Sequence, residues 1–224
     1  MKNTKVFLMA IFALLLFTAS SAHAVLTAVG PVNPANGWPK WYMDENGIKL
    51  RICSVPAVCP ATTPTEQFYY NLVAVDNTTT PGVVGKAIFA LEASYLTPVP
   101  VPGRQIVFNR MRFTVKGLAV EGPYTIDHPY GTTTVNVVLN PRTGLGQIKF
   151  TQDIGIAPRI FNGALAGTVG PFLSQITHRP RFLGNAAIQA PINPGPNGDT
   201  FTVTDPNGTV VISQNLWAVG GQLF

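Results

Sequence analysis

The chain has 224 residues, of which 15 are Lys or Arg and 10 are Asp or Glu, for a formal net charge of +5. Only 11% of it is charged, against about 25% in an average soluble domain, and its basic residues gather no further than the pairs Arg110/Arg112 and Arg179/Arg181. That distribution excludes a nucleic-acid-binding surface, and 20 Pro with 21 Gly interrupt the chain too often for long helices.

Lys2 and Lys5 open the chain, and Val6 to Phe17 follow without one polar side chain. Ala22-His23-Ala24 then presents small residues at the −3 and −1 positions of a cut. Charged start, apolar run and small-residue site together read as a secretory signal, cleaved after Ala24. The apolar run is 12 residues, too short for a membrane-spanning helix of about 20, and no Cys sits at the cut to mark a lipoprotein. Loss of Lys2 and Lys5 leaves 13 basic and 10 acidic residues, a mature charge of +3. No later segment is apolar enough to span as a helix, so the expected location is periplasm, cell surface or medium.

Val25 to Pro39 is rich in Pro, Gly and Asn and reads as an extended lead-in. Trp41 to Asp44 meets Glu45-Asn46-Gly47, and Asn-Gly is a strong hairpin signal because both residues tolerate positive φ. Ile48, Leu50 and Ile52 alternate with Lys49, Arg51 and Cys53, as a half-buried strand requires. Cys53 and Cys59 are the only cysteines. In an exported chain so close a pair reads as a disulfide. Redox pairs favour Cys-x-x-Cys, and neither a third Cys nor a nearby His supports a metal.

Phe68 to Val75 reads as a strand. Gly85 to Tyr95 is ambiguous: its Ala, Leu and Glu suit a short helix, while its apolar run suits a buried strand. Thr97-Pro98-Val99-Pro100-Val101-Pro102-Gly103 is the clearest breakpoint, since such a Pro repeat favours polyproline II and cannot supply ladder N–H groups. It divides the expected mature chain into an N-terminal β subdomain, 25–97, and a C-terminal β-sandwich subdomain, 98–224. Gln105 to Val115 alternates cleanly, with Arg110 and Arg112 on one face. Tyr124 to Asp127, Thr132 to Leu139 and Gly146 to Thr151 read as strands. Phe161 to Val169 reads as a short helix or loop, and Ile176 to Pro196 as irregular. Thr200 to Thr204, Val210 to Ile212 and Leu216 to Leu223 close the chain as strands. Short strands with frequent turns predict an all-β, antiparallel, sandwich-like fold of Ig-like architecture, with two packed β subdomains as one form of it.

Four segments carry a resemblance: Trp41-Tyr42-x-Asp44-x-Asn46-Gly47 with its flanks, Ile106-Val107-Phe108-x-Arg110-x-Arg112, the box His128-Pro129-Tyr130-Gly131, and Asp153-Ile154-Gly155 through Gly170-Pro171-Phe172-Leu173. In these the chain resembles a family of uncharacterised exported bacterial proteins, over most of its expected mature length. That resemblance implies an exported β architecture and brings no catalytic residues.

Candidate sites are few. Asp127-His128-Pro129-Tyr130-Gly131 offers metal-ligand and acid–base types, but neighbours on a strand point to opposite faces, and Pro129 and Gly131 place His128 at a turn, capping backbone groups. Trp38, Trp41 and Tyr42 form an aromatic cluster that suits either sugar stacking or core. No serine lies in a Gly-x-Ser-x-Gly elbow. Asp44, Glu45, Glu66, Glu92 and Asp153 are acids that could meet as a glycosidase pair, as some pair could in any chain with ten acids. No cofactor motif is present. The expected function is therefore structural or adhesive, without catalysis, engaging a cell-surface or extracellular protein or polysaccharide through a β edge. The rival is a secreted carbohydrate-binding module or glycoside hydrolase using the Trp38/Trp41/Tyr42 cluster and buried acids, with His128 and Tyr130 as further candidate binding residues. An outer-membrane barrel ending at Phe224 is a second rival, which Gly220, Gly221 and Gln222 in the last strand and the many prolines fit poorly.

Overall fold

The computed structural model of the protein describes residues 25–224, and the signal segment expected over residues 1–24 lies outside them. The lead-in holds a short strand, β1 (Leu26–Val29), that its Pro/Gly/Asn composition does not announce. It exists because the next strand offers it a partner: Val29 lies opposite Tyr42. The expected hairpin forms as β2 (Tyr42–Asp44) and β3 (Lys49–Arg51), with Tyr42 opposite Leu50. Gly47 sits in the left-handed region at φ 76°, the conformation for which Asn-Gly turns are selected. The Asp44 carboxylate accepts from the backbone N–H of Asn46 and Ile48 inside this turn.

Three long strands follow, β4 (Glu66–Asp76), β5 (Val84–Tyr95) and β6 (Gln105–Leu118). The ambiguous Gly85–Tyr95 segment is a strand. Ala87, Phe89, Leu91 and Ala93 alternate onto the core face of β5, which pairs with β4 on one side and β6 on the other. Two partners outweigh the helix propensity of Ala, Leu and Glu, which amounts to tenths of a kcal/mol per residue. β7 (Gly122–His128) and β8 (Gly131–Val137) make a tight hairpin around Pro129 and Tyr130. β9 (Gly146–Ile154) returns to pair with β6. A 3₁₀ turn (Phe161–Ala166) is the helical element of the segment read as helix or loop. The irregular stretch holds only β10 (Ala190–Pro191). β11 (Phe201–Thr204), β12 (Val210–Gln214) and β13 (Leu216–Leu223) complete the chain.

The strands form two antiparallel sheets. The larger runs β1-β2-β3-β13-β4-β5-β6-β9, with β10 on the side of β13, and the smaller runs β12-β11-β7-β8. The larger sheet curls as a half-barrel over the smaller one, an all-β sandwich. β1 and β9 end the larger sheet without pairing to each other, so it stays open, whereas a closed barrel leaves no edges.

Between the sheets lies one aromatic-rich core. Phe113 of the larger sheet stacks on Phe201 of the smaller and meets Phe89 edge-on, with Trp217 of β13 beside Phe89. Burial of each such side chain is worth about 1.5–3 kcal/mol. The expected division at 97/98 falls in the connection between β5 and β6, and that connection is a hairpin. Val84 to Tyr95 pair in unbroken register with Lys116 to Gln105. β13, from the far end of the chain, inserts between β3 and β4. The segments 25–97 and 98–224 therefore share one sheet and one core: the Pro repeat ends a strand without ending a packing unit.

Candidate functional site

Two groups of polar side chains stand apart from ordinary packing. The first lies on the outer face of the larger sheet. Arg110 donates to both oxygens of Asp153, its cross-strand partner on β9, at 2.7 and 2.8 Å. It also reaches Glu92 on β5 at 2.9 Å, and its guanidinium lies 4.7 Å from the Phe108 ring. Glu92 is buried. Burial pushes its pKa up, the nearby Glu66 carboxyl adds to the rise, and Arg110 opposes it. Two of the candidate acids are thus held by one guanidinium. Asp44, a third, is buried and spends its carboxylate on the backbone N–H groups of Asn46, Ile48 and Phe172.

The second group lies where the two sheets part. β8 and β9 are consecutive strands on different sheets. At one end they touch so closely that a Cβ on Gly146 would clash with Val137 Cγ1. At the other end they splay, and a cleft of about 580 Å³ opens between Thr132 and Thr133 of β8 and Gln152 of β9. Met111, His128 and Tyr130 line it from the core side; Thr168, Pro196 and Asn197 line it from the loops. Asn197 fixes the β7–β8 turn, its side-chain amide donating to the carbonyls of His128 and Gly131 at 3.0 Å each.

His128 does not cap the turn. It continues the inward set Tyr124, Ile126, His128 of β7, so its ring enters the core with centroids 5.0 Å from Phe89 and 5.3 Å from Phe113. Asp127 points the other way and accepts from the Thr132 hydroxyl at 2.6 Å, as strand alternation requires. Burial in this aromatic setting pushes the His128 pKa down to about 4, with Asp127 opposing. The ring is therefore neutral at neutral pH. Its Nε2 shares a hydrogen bond with Thr133 Oγ1 at 3.2 Å. Its Nδ1 is the one buried side-chain polar atom among the described residues with no hydrogen-bond partner. An unmet buried group of this kind costs about 1–3 kcal/mol, and native folds leave few of them.

The remaining sequence candidates are placed elsewhere. Trp38 and Tyr42 are core residues and present no stacking face. Trp38 is 2% exposed, donates through its indole to the Ile106 carbonyl and packs edge-on against Tyr95. Tyr42 is fully buried, donates to the Phe161 carbonyl at 2.8 Å and meets Tyr69 edge-on. Trp41 is half-buried, with Lys49 Nζ 4.6 Å from its ring. Tyr130 is buried, its hydroxyl 3.0 Å from that of Tyr70 and donating to the Pro171 carbonyl. His178 is exposed, with its ring nitrogen near the carbonyl of Arg179. Among the described residues no three of His, Cys, Asp and Glu gather as metal ligands. Cys53 and Cys59 are joined in a disulfide, as their spacing suggests. No helix among the described residues is long and apolar enough to cross a membrane.

The sequence reading singled out His128 and Tyr130 but missed Thr133, Gln152, Thr168 and Asn197. These come from four separate segments, and nothing in their local patterns marks them. No family model matches the chain, and no curated protein or solved structure does.

Proposed function

We propose that this is an exported, non-catalytic β protein that holds a cell-surface or extracellular partner at the open side of its sandwich, between β8 and β9. The observation that carries this reading is the unequal treatment of the two sheet margins. Along β12 the margin is sewn shut: Gln214 donates to the Val75 carbonyl, and the Ser213 N–H donates to Thr79 and Asp76 at the end of β4. Between β8 and β9 the sheets part around a cleft of about 580 Å³ with walls of mixed polarity, within the usual 300–1,000 Å³ of ligand sites. Three of the five candidate acids favour binding over catalysis as well, because Glu92, Asp153 and Asp44 are engaged in structural bonds. Export is supported by the signal-like residues 1–24 and by the Cys53–Cys59 disulfide, a bond that persists in oxidising compartments.

The test is a labelled chain of residues 25–224 added to intact cells of the producing organism. Saturable binding, lost in a Gln152→Trp variant that fills the cleft from the inward face of β9, is the expected result. Binding that does not saturate, or that the variant retains, refutes the assignment.

A further inference from the structure

The chemistry of the cleft walls narrows the ligand, given the binding role proposed above. Apart from His128, no side chain that lines the cleft is ionisable near neutral pH, and the rest of the lining is Thr, Gln, Asn, Tyr, Met, Pro and Gly. An ionic ligand would surrender hydration there without meeting a counter-charge, and a wholly apolar one would cover hydroxyls and amides without bonding them.

The polar groups are also unevenly engaged. The Thr132 hydroxyl donates to Asp127. The Thr168 hydroxyl donates to Gln152 Oε1 at 3.4 Å, which leaves the Gln152 Nε2 donors unengaged among the described residues. Asn197 uses both amide hydrogens on backbone carbonyls, which leaves its Oδ1 as an acceptor. Thr133 is held only by His128 Nε2. A neutral imidazole carries one donor and one acceptor nitrogen. The tautomer can follow whichever way the Thr133 hydroxyl turns, so Thr133 either donates to a ligand or accepts from it. The ring's other nitrogen, Nδ1, is the sole orphaned buried side-chain polar atom among the described residues, so Thr133 is the only hydrogen-bond partner the ring has among them.

Fixed donor, fixed acceptor and reversible hydroxyl suit a ligand whose own groups both donate and accept. We infer that the cleft between β8 and β9 binds an uncharged polyhydroxylated ligand, a neutral sugar unit. Thr133, Gln152 and Asn197 make the direct contacts, and His128 is a positioning residue acting through Thr133.

The test uses the disulfide-intact chain of residues 25–224 on a panel of neutral polysaccharides (glucans, mannans, galactans), their monosaccharides, acidic polysaccharides and unrelated peptides, with affinities by calorimetry. Saturable binding of at least one neutral glycan is expected. Thr133→Val, which keeps the side-chain shape, should weaken it about tenfold, the value of one neutral hydrogen bond. Thr134→Val, on the outward face of β8, should bind and melt like wild type, while Thr133→Val, which leaves His128 Nε2 without its partner, should melt a few degrees lower and still unfold cooperatively. Competition by the monosaccharide at equal sugar concentration identifies a free sugar as the ligand; competition by the polymer alone identifies a chain segment. Preference for acidic polymers or peptides, no binding across the neutral set, or full affinity in Thr133→Val overturns the inference. If cells still capture the chain through the cleft, and periodate oxidation of their surface glycans changes nothing, the binding role stands while the sugar assignment falls. Absence of any cleft-dependent capture removes the binding role itself.

Discussion

Replacing His128 by Phe tests whether the ring at the floor of the cleft is held neutral by its surroundings. Burial between Phe89 and Phe113 takes its pKa from 6.5 to about 4. One pH unit of such a difference is worth about 1.4 kcal/mol, so the whole is about 3 kcal/mol. The sign follows from proton counting. Between pH 6.5 and 4 the unfolded chain holds a proton on this ring that the folded chain refuses, so stability rises with pH across that window and is lost as pH falls. Glu92 works in the opposite sense. Its raised folded pKa stabilises the fold at low pH and releases that contribution as pH rises above 4.5. The informative quantity is therefore the gap between wild type and His128→Phe, in which the Glu92 contribution cancels. At pH 7 the gap should be within about 1 kcal/mol, because the variant loses the bond to Thr133 but also removes the orphaned Nδ1. At pH 4 the variant should be favoured by about 3 kcal/mol more than at pH 7. Urea unfolding followed by Trp fluorescence at pH 7, 5.5 and 4 measures it, and an unchanged gap between pH 7 and pH 4 refutes the reasoning.

Arg110→Met should destabilise the fold most above pH 8, by about 3–5 kcal/mol, where Glu92, raised to about 8 by burial, is ionised and left buried without its cation. The loss should shrink toward pH 7 and below as Glu92 takes up a proton, and a loss below about 1 kcal/mol at pH 9 would mean that the cluster is solvated. Cys53→Ser with Cys59→Ser should cost about 2 kcal/mol, the chain-entropy value for so short a loop. Non-reducing peptide mapping of exported material should recover the two cysteines on one linked peptide; two free thiols would contradict the bond. Intact mass measurement of the exported protein should match a chain beginning at Val25, and a retained Met1 would contradict cleavage after Ala24.

Much of the fold is written locally. The alternation in Gln105–Val115 determined β6, Asn46-Gly47 determined the β2–β3 turn, and the density of Pro and Gly determined an all-β chain. These are short-range matters of side-chain period and backbone φ, which a sequence displays directly. The tertiary structure decided what depends on remote partners. β1 and β13 become strands of one sheet because β2, β3 and β4 offer them backbone bonds. Gly85–Tyr95 is extended because it has neighbours on both sides. Trp38 and Tyr42, equally suited by type to a surface platform, are buried because the sheet curls over them. The candidate site belongs wholly to this second kind. Thr133, Gln152, Thr168 and Asn197 are ordinary residues where they stand in the chain, and only the parting of β8 from β9 makes them the wall of one cleft. His128 was visible as a residue of interest, but whether its ring caps a turn or enters the core depended on which face of β7 met Phe89 and Phe113. That is settled by sheet packing across the sandwich, and the sequence around the box does not encode it.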